Sequence, residues 1–361
     1  MSCVQGWPEP IIRVQSLSDS GLDRIPDRYV KPLTERPVVE SVVMDEDDKV
    51  DIPMIDLAGL FSGDSEIIRA TREKVGEACR VWGFFQAVNH GVHPDLMDQA
   101  RQTWRDFFHQ PMEEKQKHAN DPKTYEGYGS RLGVEKGAVL DWSDYYFLHY
   151  LPSNLKDHTK WPAQPPHHRE VVEEYLGEVV KLGQRLMKVF SSNLGLEEDY
   201  LQNAFGGEDN GACLRVNFYP KCPQPDLTLG LSSHSDPGGL TILLPDHDVP
   251  GLQVRRGDKW ITVKPAQHAF IINIGDQIQV LSNATYKSVE HRVIVNPNIE
   301  RLSLALFYNP RGELLIEPAK ELISPENPAM YQPMTFNEYR LYIRLKGPRG
   351  KSQVESLKSP R

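Results

Sequence analysis

Cysteine is scarce: Cys3, Cys79, Cys213 and Cys222 are the four thiols among 361 residues. They form no C-x-x-C pair and no zinc-type spacing, which excludes a thiolate metal site and a disulfide-stapled scaffold as organising principles. Reduced thiols in a cytoplasmic compartment are the expectation, although Cys213 and Cys222 flank one strand and a Pro-rich turn and are close enough in sequence to meet. Positive charge is also short, with 41 Lys and Arg against 50 Asp and Glu, a net of -9. That balance argues against nucleic acid and anionic membranes as partners, since both require basic patches. No apolar run approaches the roughly 18 residues of a membrane span; Ala269–Ile274 is among the purest and is strand-sized. Met1–Pro10 lacks the basic start and apolar core of a secretory signal. Lys358–Arg361 matches no lipidation or organelle address.

What is present is ordinary globular material, 39% hydrophobic and 25% charged, in a chain long enough for a sizeable core. Residues 1–50 read as an irregular lead-in with an acidic run at Asp45–Asp48. Residues 51–210 read as a mainly helical region. Ile52–Asp56 and Gly83–Val88 are strand-like, while Glu66–Trp82, Pro94–Phe108 and Arg169–Leu194 carry helical periodicity. Gly183 falls on the apolar stripe of the last, which predicts close packing against a sheet. Gln110–Gly137 is polar and Gly-rich, a candidate mobile flap, and Asp144–His149 is strand-like.

From residue 211 to 315 short apolar or alternating runs follow at close spacing. They are Ala212–Tyr219, Thr228–Ser233, Leu240–Leu244, Gly251–Val254, Trp260–Val263, Ala269–Ile274, Ile278–Leu281, Ser288–Val295 and Leu302–Tyr308. This is the pattern of an antiparallel sandwich or barrel. Residues 316–361 add a helix opened by a Thr335–Glu338 capping box and stopped at Gly347-Pro348, then a tail. The fold class is α+β: a double-stranded β-helix (jelly roll) core flanked by helices, with no internal repeat.

The chemistry concentrates between Leu229 and Pro310. His234 and Asp236 lie two apart on a strand, hence on one face. His291 is the one polar residue in the alternating run Val289, His291, Val293, Val295. Two imidazoles and a carboxylate with positions left open form the facial triad of non-haem Fe(II) oxygenases. A plainer reading makes Asp236 a turn residue before Pro-Gly-Gly and His291 a core histidine. Zinc would accept a similar donor set, but no His-Glu-x-x-His arrangement supplies a hydrolytic base.

Arg301 and Ser303 share one face of a strand whose other face is Leu302, Leu304 and Leu306. A charge on such a strand needs a partner, and an Arg fork matches a carboxylate. Along Cys213–Tyr219, Arg215, Asn217 and Tyr219 face one way. That face meets either water or the interior, and the alternation leaves both open. Arg340 and Arg344, four apart, lie together on the C-terminal helix. Like charges there cost roughly 0.2–0.5 kcal/mol unless an anion meets them, although a solvated face is the ordinary reading.

The chain resembles the plant 2-oxoglutarate- and Fe(II)-dependent dioxygenases over nearly its whole length. The matching stretches are Ile52-Pro-Met-Ile-Asp56, Gly83–Gly91, Asn217-Phe-Tyr-Pro220, His234-Ser-Asp236, His291-Arg-Val and Arg301-Leu-Ser303. The resemblance implies that His234, Asp236 and His291 bind Fe(II) and carry the catalysis. It implies that Arg301 and Ser303 hold the distal carboxylate of 2-oxoglutarate, assisted by Tyr219 and Asn217. The family often has Tyr where this chain has Phe218. The implied reaction is decarboxylation of 2-oxoglutarate to succinate with hydroxylation of an unactivated carbon by O2, and ascorbate is a candidate reductant.

Arg13–Ser18, Ile25–Val30, Glu338–Arg344 and Gly347–Glu355 look like the jasmonate-induced oxygenases, which hydroxylate jasmonic acid. By that resemblance a small-molecule carboxylate, jasmonic acid, becomes hydroxyjasmonic acid, inactivating the hormone and lowering defence signalling. Arg215, Arg340 and Arg344 would anchor its carboxylate, with Phe147 and Phe307 as apolar walls. Three alternatives stand beside this reading. One is a sister dioxygenase acting on a flavonoid or another hormone, and another is an oxidase of the same fold that uses ascorbate in place of 2-oxoglutarate. The third is a non-catalytic jelly-roll binder of small acids. Oligomeric state is not legible.

Overall fold

A computed structural model describes residues 7, 9–37 and 51–358. Cys3, the acidic run at 45–48 and the last three residues lie outside the described residues. Twelve of the described strands make two sheets. In chain order they are β1 (Met54–Asp56), β2 (Phe84–Val88), β3 (Gly127–Gly129), β4 (Asp144–Leu151), β5 (Gly211–Tyr219) and β6 (Leu231–His234). The later ones are β7 (Leu240–Leu244), β8 (Leu252–Arg256), β9 (Lys259–Thr262), β10 (Phe270–Ile274), β11 (His291–Val293) and β12 (Arg301–Asn309). The large sheet runs β1-β2-β10-β7-β12-β5-β4-β3, antiparallel except for the parallel β1–β2 pair. The small sheet runs β6-β11-β8-β9. β1 to β4 thus join strands from beyond residue 210 in one sheet.

Period-two alternation gives the large sheet two different faces. Leu214, Val216 and Phe218 on β5, with Leu302, Leu304 and Leu306 on β12, share one core with helices Ser65–Val81, Pro94–Phe108 and His168–Asn193. Each such buried Leu or Val contributes about 1.5–3 kcal/mol. Gly183 lets the long helix close on the sheet: a Cβ there would lie 2.9 Å from the Tyr308 ring. Phe218 stacks on Phe108, with ring centroids 4.7 Å apart, so the departure from the family's usual Tyr faces away from the interior between the sheets. Ala305, Leu243 and Ile271 point the other way, into a second core with Leu252, Val254 and Val293 of the small sheet.

Two expectations are corrected. The run Ile278–Leu281 is not a strand but lies in a buried helix, Asp276–Leu281. Short apolar runs have no decisive period, and here tertiary packing chose. The stretch 110–137 is not a bare flap. It contains helix Met112–Gln116 and edge strand β3, with Tyr125, Tyr128 and Arg131 buried. Gly127, at φ +112°, admits a backbone bend that side chains resist. Cys79, Cys213 and Cys222 are free thiols. Among the described residues no helix is long and apolar enough to cross a membrane.

Candidate metal centre and its cavity

The twelve site residues expected from sequence all line one cavity of about 240 Å³. A larger and more polar cavity of about 720 Å³ adjoins it through Arg215 and the turn at 347–350, but contains none of the triad.

At the cavity's centre β6 and β11 pair, with His291 opposite His234. Each imidazole is oriented from behind. His234 Nδ1 lies 2.8 Å from the Ser232 carbonyl, and His291 Nδ1 lies 3.1 Å from that of Val289. A carbonyl only accepts, so Nδ1 carries the proton and Nε2 offers its lone pair. The two Nε2 atoms sit 3.5 and 3.6 Å from Asp236 Oδ1. The other oxygen, Oδ2, accepts from Thr241 Oγ1 at 2.5 Å and Asn273 Nδ2 at 2.7 Å. Two donors hold the back of the carboxylate and leave the front oxygen to the imidazoles. Two imidazoles and one carboxylate are a donor set that suits a ferrous ion, and these three residues would hold it. The ligand atoms lie within 4.8 Å of one another.

Electrostatics favours the same state at Asp236 and His291, whereas at His234 burial pulls the imidazole down and the Asp236 carboxylate outweighs it, raising it overall. Burial pushes the Asp236 carboxyl up, but the imidazoles on either side outweigh it and hold it below the ordinary carboxylate range. Burial, helped by His234, holds His291 down to about 4, hence neutral at pH 7.

The remaining residues follow from register. Across the β12–β5 ladder Arg301 faces Tyr219, Ser303 faces Asn217 and Ala305 faces Arg215. Phe147 of β4 flanks Arg215. The polar face of β5, undecided from alternation, therefore lines the cavity. Arg301 donates Nε to the Val249 carbonyl at 3.1 Å, while its buried Nη1 has no partner. An orphaned guanidinium N–H beside the Ser303 hydroxyl suits a carboxylate oxygen. At the other end Arg215 lies 3.8 Å from the Tyr145 ring centroid and donates Nε to Asn217 Oδ1 at 2.6 Å. Arg344 donates to the Lys123 and Thr124 carbonyls, and Arg340 lies over Phe336. None of the four arginines has a carboxylate within 4.0 Å among the described residues. Burial pulls the Arg215, Arg340 and Arg344 guanidiniums down, and the charge of Arg340 adds to this at Arg344. They remain cations.

Residues 210–310 match the 2OG-Fe(II) oxygenase superfamily, and residues 52–168 match the N-terminal region described as non-haem dioxygenase in morphine synthesis. Jasmonate-induced oxygenase 3 of Arabidopsis thaliana is 63% identical over 100% of both chains. The chain belongs to the 2OG-Fe(II) oxygenase superfamily. Flavanone 3-dioxygenase 2 of Oryza sativa subsp. japonica is more distant, 42% identical over 90% of this chain and 92% of its own. The crystal structure of JOX2 in complex with 2OG, Fe and JA is 62% identical and superimposes with a TM-score of 0.91, over 99% of this chain and 100% of that one. Membership makes the protein an oxidoreductase that works with Fe(II), 2-oxoglutarate and O2.

Sequence reasoning missed part of this oxygenase's site. Thr241 and Asn273 are the lone polar residues in the apolar strands β7 and β10, the same signal that singled out His291. Tyr145, which carries the Arg215 guanidinium, sits in an aromatic run that reads simply as core.

Proposed function

We propose that this oxygenase hydroxylates jasmonic acid to hydroxyjasmonic acid, and thereby inactivates the hormone and lowers defence signalling. One observation carries the reading: Arg215, Arg340 and Arg344 line the cavity of the His–Asp–His triad with no carboxylate partner among the described residues. One buried and two half-buried cations converging on one cavity favour an anion there. The 63% identity to jasmonate-induced oxygenase 3, and JOX2 in complex with JA, support jasmonic acid as that anion.

In this reading His234 Nε2, His291 Nε2 and Asp236 Oδ1 hold Fe(II). The ion, with 2-oxoglutarate and O2, supplies the chemistry that releases succinate and CO2 and puts one oxygen atom into a C–H bond. Arg301 Nη1 and the Ser303 hydroxyl receive the distal carboxylate of 2-oxoglutarate, and Tyr219 and Asn217 close that end. Arg215, Arg340 and Arg344 take the hormone's carboxylate. Phe147 and Phe307 wall its apolar body and keep water from the reacting carbon. Thr241 and Asn273 keep Asp236 from turning.

Anaerobic protein given Fe(II), 2-oxoglutarate and jasmonate, then air, is expected to form succinate and hydroxyjasmonate in step. Succinate formation indifferent to jasmonate would overturn the substrate and leave the reaction class standing.

A further inference from the structure

Asp276 opens the buried helix Asp276–Leu281, and its carboxylate joins the two halves of the site. A single oxygen, Oδ2, accepts from Tyr339 Oη at 2.6 Å and from Ser235 Oγ at 3.2 Å. Ser235 stands between His234 and Asp236, just past the end of β6, and is buried at the same cavity. Tyr339 immediately precedes Arg340 on helix Phe336–Lys346, which also carries Arg344. The Asp276 N–H donates to the Asp236 carbonyl at 2.8 Å. The chain beyond that helix is bound to the same strand, with Gly350 N–H to the Ser233 carbonyl at 2.8 Å and Ser235 N–H to the Gly350 carbonyl at 3.2 Å. The Gln353 amide donates back to the Tyr339 carbonyl.

We infer that Tyr339, Asp276 and Ser235 form a brace that sets the distance between the arginine cluster and the triad, and so selects the substrate carbon that faces the metal. These are positioning residues, since none touches the reacting atoms. The inference rests on the reading of Arg340 and Arg344 as substrate anchors. Hydrogen bonds to a buried carboxylate are short and strong, and breaking one leaves a buried group unpaired. The helix therefore resists sliding along the metal strand. The requirement is severe, because a misplacement of about 1 Å can cost on the order of 100-fold in rate.

The test uses the full chain with Fe(II), 2-oxoglutarate and jasmonate. Tyr339→Phe, Asp276→Leu and Asp276→Asn are compared for product positions by mass spectrometry and for 2-oxoglutarate consumed per hydroxylated product. Tyr339→Phe keeps its ring packing. It should give mixed hydroxylation positions, more 2-oxoglutarate consumed per product and a jasmonate KM raised on the order of tenfold. Its Fe(II) affinity by calorimetry should be native. Asp276→Leu should behave the same or worse. Asp276→Asn should stay close to the native profile, because one carbonyl oxygen can accept both donors. Its amide would replace Oδ1, which has no partner.

A single native product with native coupling in Tyr339→Phe overturns the brace, as does an Asp276→Asn profile matching Asp276→Leu. If Arg340→Ala leaves the jasmonate KM unchanged, the substrate reading fails instead. If Arg340→Ala raises it while Tyr339→Phe remains native, only the brace fails.

Discussion

Arg301 and Tyr219 stand opposite each other across the β12–β5 ladder, with the guanidinium carbon 5.2 Å from the phenol ring centroid. The ring offers the cation a face, and the Val249 carbonyl takes Nε. Nη1 remains buried and unpartnered. Replacing Arg301 by Lys keeps the charge but loses the planar fork. The KM for 2-oxoglutarate should rise roughly tenfold to a hundredfold, the equivalent of about 1.5–3 kcal/mol for a charged hydrogen bond. The jasmonate KM should move little. A native 2-oxoglutarate KM in Arg301→Lys would remove this residue from the co-substrate site.

Asp236 owes its aim to two residues behind it. Thr241→Val and Asn273→Leu each delete one donor to Oδ2. Fe(II) affinity, measured anaerobically by calorimetry, should fall roughly tenfold to a hundredfold in each, the usual cost of losing a residue that orients a ligand. Native affinity in both would make these bonds ornamental to the metal.

If the arginine cluster anchors the substrate as proposed, it should separate a carboxylate substrate from a neutral one. Arg340→Ala combined with Arg344→Ala should raise the jasmonate KM by more than about tenfold. Succinate formation without jasmonate should be unchanged. A neutral flavanone should hardly notice the change. Equal losses on both compounds would point to collapse of the helix rather than loss of charge recognition, and circular dichroism would show it.

Acid sensitivity should arise partly at His168. Its ring sits edge-on to Trp104 at 4.5 Å, with Nδ1 3.0 Å from Thr103 Oγ1. Burial, the leading cause, holds it down to about 3, against about 6.5 in the unfolded chain. Between those values the unfolded chain binds more protons. The stability this neutral imidazole contributes is therefore complete above about pH 6.5 and is lost as pH falls towards 3. The slope is at most about 1.4 kcal/mol per pH unit. Urea unfolding of His168→Leu from pH 8 to 5 should show one proton's worth less acid dependence. His149, held down to about 4 by burial and then by Arg340 and Arg344, should retain its own share. An unchanged slope in the variant would assign the effect elsewhere.

Most of the site was legible because its signals are local. Strand alternation sets Arg301 with Ser303. A spacing of two puts His234 near Asp236, although β6 ends at His234 and Asp236 lies just beyond the strand rather than on it as expected. Polar residues inside apolar runs declare a partner before it is seen. Thr241 and Asn273 carried the same mark and passed unnoticed. Their meaning depends on being Cα partners in the β10–β7 register, which brings both to one oxygen of Asp236.

The sequence by itself determined the four long helices, most strands, three side chains that could hold a metal and the charge available to meet two carboxylates. Those properties follow from backbone periods and side-chain chemistry that hold within a few residues. Only the tertiary structure decided that the polar face of β5 looks into the cavity rather than into water, that Ile278–Leu281 is helical, and that Tyr339 meets Asp276 across 63 residues. Register, sheet closure and the seating of the C-terminal helix are set by contacts between distant segments, and no local period encodes them.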